Sequence, residues 1–193
     1  TKGGLKGGLA ATLGLMAGDQ VLMWLAVAGV AAVLAAYPTA FHAVQRGQVG
    51  LGDHVVVQGC GPVGLMACAL SRLAGAQHVT VIGAPELRLD VARRLGADDT
   101  IDIQTTSAQE RCDAVLALTN GRGADVTIEA TGNPRAVPEG MRLTRDAGVY
   151  VVVGQYTDAG PVEFNPHHDL NRRHLDVRAT WGIDLSHQYK SLQ

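Results

Sequence analysis

Charge is scarce in the first quarter of this chain and aromatic side chains are scarce throughout. The 193 residues carry 18 acidic and 16 basic side chains, a formal net charge of -2. Such a balance leaves no basic footprint for a nucleic acid. Aromatics make up only 4% of the chain, too few for a base-stacking surface. Cysteine is limited to Cys60, Cys68 and Cys112, with no C-x-x-C pair. That excludes a zinc-ribbon spacing and a disulfide framework, and it suits a reducing, cytosolic setting. G-x-S-x-G is missing, so there is no nucleophile elbow. G-x-x-x-x-G-K-[ST] is missing too, so there is no phosphate loop of the ATPase kind. Glycine is plentiful at 24 residues, but no G-x-y period runs through it.

The first fifty residues hold just four charges: Lys2, Lys6, Asp19 and Arg46. Val21 to Phe41 is an uninterrupted run of 21 uncharged residues. A run of roughly 20 apolar residues could cross a bilayer. Its Ala and Gly content, the interruption at Pro38 and the lack of a close basic flank favour a buried segment instead. Attachment to a membrane through this run is the less favoured reading.

Beyond residue 53 strands and helices alternate. His54–Gly59, His78–Ile82, Thr100–Ile103, Asp125–Ala130, Gly148–Val153 and Leu175–Thr180 read as strands. Pro62–Ala74, Glu86–Leu95, Ser107–Leu118 and Pro134–Leu143 read as helices, with Gly96 and Asn120-Gly121 as stops. Strands joined through helices pair in parallel with right-handed crossovers. The expected fold class is therefore α/β, a doubly wound parallel sheet.

Gly59-Cys60-Gly61-Pro62-Val63-Gly64 spells G-x-G-x-x-G between the first strand and the first of these helices, the context that gives the pattern meaning. Gly59 would permit the turn, Gly61 the approach of a pyrophosphate, and Gly64 close packing of helix on strand. Pro62 suits the first helical turn, and the helix N-terminus offers free N–H groups to the phosphates. The acidic residue expected about twenty positions later falls near Gly83, where no carboxylate stands. Glu86 could serve only if the loop bends back, and Arg88 could meet a 2′-phosphate. The choice between NAD and NADP stays open, with a lean to NADP on charge.

VVVQGCGPVGLMACALSRLAGAQHVTVIG, RRLGAD, GRGADVTIEATGNP and GVYVVVGQ together resemble the medium-chain dehydrogenase/reductase superfamily. The likeness is strongest to the cofactor domain of zinc-dependent alcohol, polyol and threonine dehydrogenases. It implies a Rossmann domain over residues 31–182, a remnant of a GroES-like catalytic domain over 1–30, and the start of a C-terminal segment over 183–193. It implies that Val63 packs behind a nicotinamide, that Thr131, Gly132, Val153 and Gly154 line its pocket, and that Thr39 lies close by. The family's G-H-E motif, first zinc ligand and four-cysteine lobe do not occur in this sequence, and no Cys, Asp or Glu stands between Asp19 and Asp53. A catalytic zinc needs about three protein ligands. The chain is thus expected to bind and orient NAD or NADP without supplying zinc or catalytic residues, as the incomplete part of an alcohol dehydrogenase-like oxidoreductase. A zinc-free quinone or enone reductase and a non-catalytic dinucleotide-binding module are the alternatives. The partners implied are a small alcohol or carbonyl substrate and a second copy of the chain, not a nucleic acid. Among other residues, His167, His168, Asp169 and His174 read as a solvated loop rather than a metal site, and Cys60 as a small spacer.

Overall fold

The computed structural model describes residues 34–181. Contacts divide the chain into two units, residues 1–35 and 36–193, and the fold that follows belongs to the second. The segments expected at 1–30 and 183–193, and most of the run Val21–Phe41, lie outside the described residues. Among the described residues no helix is long and apolar enough to cross a membrane.

Within this unit helix α1 covers residues 36–47. It continues straight through Pro38, which the sequence reading took as an interruption. Ala36, Ala40, Ala43, Val44 and Gly47 form its buried face, spaced at helical intervals. At Gly47 an added Cβ would stand 2.9 Å from Val126 Cγ1, so glycine lets the end of α1 lie close on the sheet.

The elements after it are β1 (His54–Gln58), α2 (Pro62–Leu73), β2 (His78–Gly83), α3 (Glu86–Arg94), β3 (Asp99–Asp102) and α4 (Ala108–Leu118). Then come β4 (Ala124–Glu129), α5 (Ala136–Leu143), β5 (Thr144–Val152), a π-helical turn (Pro166–Asn171) and β6 (Asp176–Ala179). The six strands pair in parallel in the order β3-β2-β1-β4-β5-β6. This is the doubly wound order, in which direction of travel reverses between β1 and β4.

Strand residues alternate between the two faces with period two. Val55, Val57, Val79, Val81, Val126, Ile128, Val151 and Val153 form one core with α1, α2 and α3. Val56 and Ile82 face the opposite side, where Val115 of α4 and Leu143 of α5 cover them. Burial on both sides explains the continuous β-branched runs.

The second face is more polar under α5. Gln58 and Tyr150 are buried there, and the Tyr150 hydroxyl donates to Gln58 Oε1 and to the Ala136 carbonyl, both at 3.4 Å. Gln58 Nε2 donates to the same carbonyl at 3.1 Å. A Cβ on Gly140 would collide with the Gln58 amide and the Tyr150 ring, so α5 needs glycine there to approach. Burial pushes the Tyr150 phenol well above its ordinary range, helped by the Glu129 and Glu139 charges.

Of the boundaries that differ from the sequence reading, two do so for plain local reasons. Ser107 is the N-cap of α4: its hydroxyl accepts from Glu110 N–H at 3.2 Å, and the Glu110 carboxylate accepts from Ser107 N–H at 2.7 Å. β5 begins at Thr144, four residues before Gly148, because it pairs with Ala124 and then shifts register before Val126.

Candidate functional site

The glycine loop sits at the carboxyl end of β1, beside the β1–β4 reversal, where ligands of open α/β sheets bind. Gly59 has a φ of +106°, and a Cβ there would lie 2.7 Å from the Ala130 carbonyl. A Cβ on Gly64 would strike the Gly59 carbonyl. These two glycines are therefore demanded by the protein's own packing. Gly61 is not: its φ is −75°, open to any residue, and nothing lies within 4 Å of an added Cβ. The space before Gly61 is a cradle that a side chain would fill.

Gly61 is also the N-cap of α2, without a side-chain cap, and the first turn of α2 carries no acid. Pro62 has no N–H, so Val63 and Gly64 present the unpaired amides and the positive end of the helix dipole.

On the β2 side Gly83 closes the strand and no carboxylate stands in for the missing one. Glu86 does not bend back: Arg93 holds it at 2.6 Å, with Asp90 on the same guanidinium at 2.5 Å. Arg88 lines the cleft with Gly83 and Ala84. The cleft measures about 560 Å³ and also gathers Gly59, Cys60, Gly61, Thr131, Arg111, Arg135 and Glu139. Arg111 and Glu139 form a two-pronged ion pair at 2.7 and 2.8 Å, with only 11% and 13% of their side chains exposed. Glu139 and burial act oppositely on Arg111, and the Glu139 hydrogen bonds win, holding the guanidinium more firmly protonated. Arg88 and Arg135 have no side-chain partner among the described residues. With three guanidiniums to one carboxylate the lining suits a polyanion.

At the ends of β4 and β5 the organising group is Glu129, fully buried. Its Oε1 accepts from Thr131 N–H at 2.7 Å, Thr131 Oγ1 at 2.6 Å and Gly132 N–H at 3.0 Å; its Oε2 accepts from Gly154 N–H at 2.9 Å. One carboxylate thus fixes the turns after both strands. Gly132, at a φ of +71°, lies so close to Gly154 that a Cβ would sit 2.9 Å from the Gly154 carbonyl.

Of the residues singled out in the sequence, Gly59, Gly61, Gly83, Arg88 and Thr131 meet on the cleft wall. Pro62, Val63 and Gly64 follow in the first turn of α2, Val63 half-buried against the core. Gly132 and Gly154 join through Glu129, and Val153 is buried beneath them. Thr39 is half-buried in α1 and is not among the residues lining this cleft. Sequence reading missed Glu129, Arg111, Arg135 and Glu139. For Glu129 a signal existed: a carboxylate closing the stretch VTIE, two residues before the Thr131-Gly132 pair.

Cys60, Cys68 and Cys112 are free thiols. His167 and His168 sit on the exposed π-helical turn, rings edge to face at 4.9 Å. Among the described residues no three His, Cys, Asp or Glu side chains converge to hold a metal ion, so those residues do not fit a zinc site.

Comparison with known proteins agrees with this architecture. The chain is 38% identical over 164 residues to 5-exo-hydroxycamphor dehydrogenase of Pseudomonas putida, covering 84% of this chain and 45% of that protein. An alcohol dehydrogenase structure from Thermotoga maritima superposes with a TM-score of 0.80 at 37% identity, over 84% of this chain and 45% of the other. A zinc-binding dehydrogenase from Sinorhizobium meliloti, bound to NADP, gives a TM-score of 0.72 at 26% identity, over 82% and 46%. The chain spans under half the length of these relatives. The sequence pattern of the zinc-binding dehydrogenases matches residues 62–192, most of the chain, and the chain belongs to that family.

Proposed function

We propose that this chain binds a nicotinamide dinucleotide across the carboxyl edge of its sheet, as the cofactor-holding part of an alcohol-type oxidoreductase. The observation that carries the reading is Gly61, a glycine that neither its φ nor its neighbours require, facing open space at the N-terminus of α2. A pyrophosphate laid there would meet the amides of Val63 and Gly64 and the positive end of the helix. Gly59 and Gly64 would shape the turn, and Pro62 would hold the first helical residue in place.

The adenosine half would lie over Gly83. Without a carboxylate to receive ribose hydroxyls, and with Arg88 unpartnered on the wall, the site favours a 2′-phosphate, so NADP over NAD. The NADP-bound relative from Sinorhizobium meliloti is in keeping with that preference. The nicotinamide half would lie toward β4 and β5, with Val63 and Val153 as apolar walls, Thr131, Gly132 and Gly154 as the rim held by Glu129, and Thr39 nearby. When bound, the nicotinamide would exchange a hydride with the carbon of a small alcohol or carbonyl compound. The chain's own part is to place the ring and exclude water from one face of it. The domain so defined is residues 31–182, working in a reducing, cytosolic setting and paired with a second copy.

Titration of the chain with NADH and NADPH, followed by nicotinamide fluorescence, tests this. Saturable binding with NADPH the tighter ligand is expected. Binding of neither would overturn the reading.

A further inference from the structure

Gly83 occupies the end of β2, where dinucleotide sites commonly offer a carboxylate to the adenosine ribose. Its backbone does not require glycine, since it is not one of the residues with a left-handed φ. The reason lies across space. A Cβ at Gly83 would stand 2.5 Å from Cys60 Sγ, 3.0 Å from Cys60 Cβ and 3.0 Å from Cys60 N. Real Cβ atoms do not approach sulfur at that distance, and close-packed interiors leave little room to yield.

The thiol is not free to swing away. Cys60 is 3% exposed, and its Sγ donates to the Ala84 carbonyl at 3.2 Å. Side chains at 60 and 83 therefore compete for one volume, and Cys60 holds it. Glu86 cannot substitute for the missing acid, because Arg93 engages it. Arg88 is then the charged side chain left on that wall of the cleft.

We propose that Cys60, the middle residue of the first G-x-G, governs specificity through position 83. By filling the volume in which a carboxylate at position 83 would begin, it keeps the floor beneath the ribose free of acid and leaves Arg88 to select a 2′-phosphorylated dinucleotide. This rests on the reading that the cleft takes a dinucleotide.

The test is a cycle of four full-length chains: wild type, Cys60→Gly, Gly83→Asp and the double variant. Each is titrated with NADH and NADPH, and each is unfolded thermally. Gly83→Asp alone is expected to lose stability and to bind both ligands more weakly than wild type. Cys60→Gly is titrated as the reference for the double variant. The double variant should bind NADH about tenfold more tightly than Gly83→Asp does, and NADPH about tenfold more weakly than Cys60→Gly does. If Gly83→Asp binds NADH as tightly as the double variant, the thiol is no obstacle and the proposal fails. Should an Asp variant not fold, Gly83→Ala with and without Cys60→Gly decides the steric part without a charge. Its melting temperature should fall and then recover in part, because the 3.0 Å contact with the backbone N of residue 60 stays, and an unchanged value in Gly83→Ala would overturn the proposal. If the wild type binds neither ligand, the dinucleotide reading fails and the specificity role with it. If the wild type binds but the cycle shows no coupling, the role of Cys60 fails alone.

Discussion

Gly61→Ala separates a ligand-shaped glycine from a fold-shaped one. The backbone at 61 already has a φ of −75°, and an added methyl meets no atom within 4 Å. Two small effects on stability oppose each other. Alanine is a poorer N-cap than glycine, while restricting the unfolded chain stabilises by about 0.4–1 kcal/mol. The net change should lie within about 0.5 kcal/mol of zero. Binding should respond quite differently. A phosphate oxygen bonded to an amide sits about 2.7–3.2 Å away, closer than the roughly 3.5 Å a methyl carbon allows. Losing one charge-assisted contact costs about 1.5–3 kcal/mol, or roughly 10- to 150-fold in Kd. NADPH fluorescence titration and urea unfolding on the same preparation read both quantities. Gly64→Ala is the control, because its methyl would strike the Gly59 carbonyl and should cost stability first. Unchanged affinity in a stable Gly61→Ala would refute the placement of the phosphates.

Glu129→Ala strips the acceptor from three backbone amides and a hydroxyl; a loss of at least ~3 kcal/mol in urea unfolding is expected, with Glu129→Gln milder because one acceptor oxygen stays. Burial alone would raise the Asp125 carboxyl, but the His54 amide at 2.9 Å and Arg145 at 2.6 Å outweigh it and hold the group below its ordinary range. A depressed folded value stabilises above the unfolded value and is lost on acidification. Asp125→Asn should therefore be less stable than wild type near neutrality, with the gap closing below about pH 4 in pH-dependent unfolding. Cys68 is pushed up to about 11 by burial and then by the Asp98 charge; at about pH 8 iodoacetamide should label it only after unfolding, as mass spectrometry would read.

The half of the fold built on β1, α2 and β2 could be read to within a residue or two, because fully buried strands are β-branched runs and glycine or proline marks their ends. Helix α1 could not. Its buried face is mostly alanine, so the contrast between its faces is too slight to show a helical period. The early start of β5 was hidden because residues 145–148 occupy a register shift in which Asp146 and Ala147 are exposed. In the site, the glycine loop was legible because its constraints are local. The Arg111–Glu139 pair joins residues 28 apart, and the four bonds of Glu129 go mainly to backbone amides, which no residue pattern records. Position 83 shows the same limit: the lack of an acid was visible, but its cause lies in a through-space contact with Cys60.

The order β3-β2-β1-β4-β5-β6 makes the described sheet two three-stranded halves sharing one seam. The only strand-to-strand ladder across that seam joins β1 and β4, from Val55–Val126 to Gln58–Glu129. A break in the exposed connection between β3 and α4, near Thr105, would divide the chain into two pieces with three of these strands in each. A dinucleotide spanning the glycine loop of one piece and the Glu129-held turns of the other would act as a molecular staple, so the fragments would become a two-piece sensor whose reassembly reads out the cofactor.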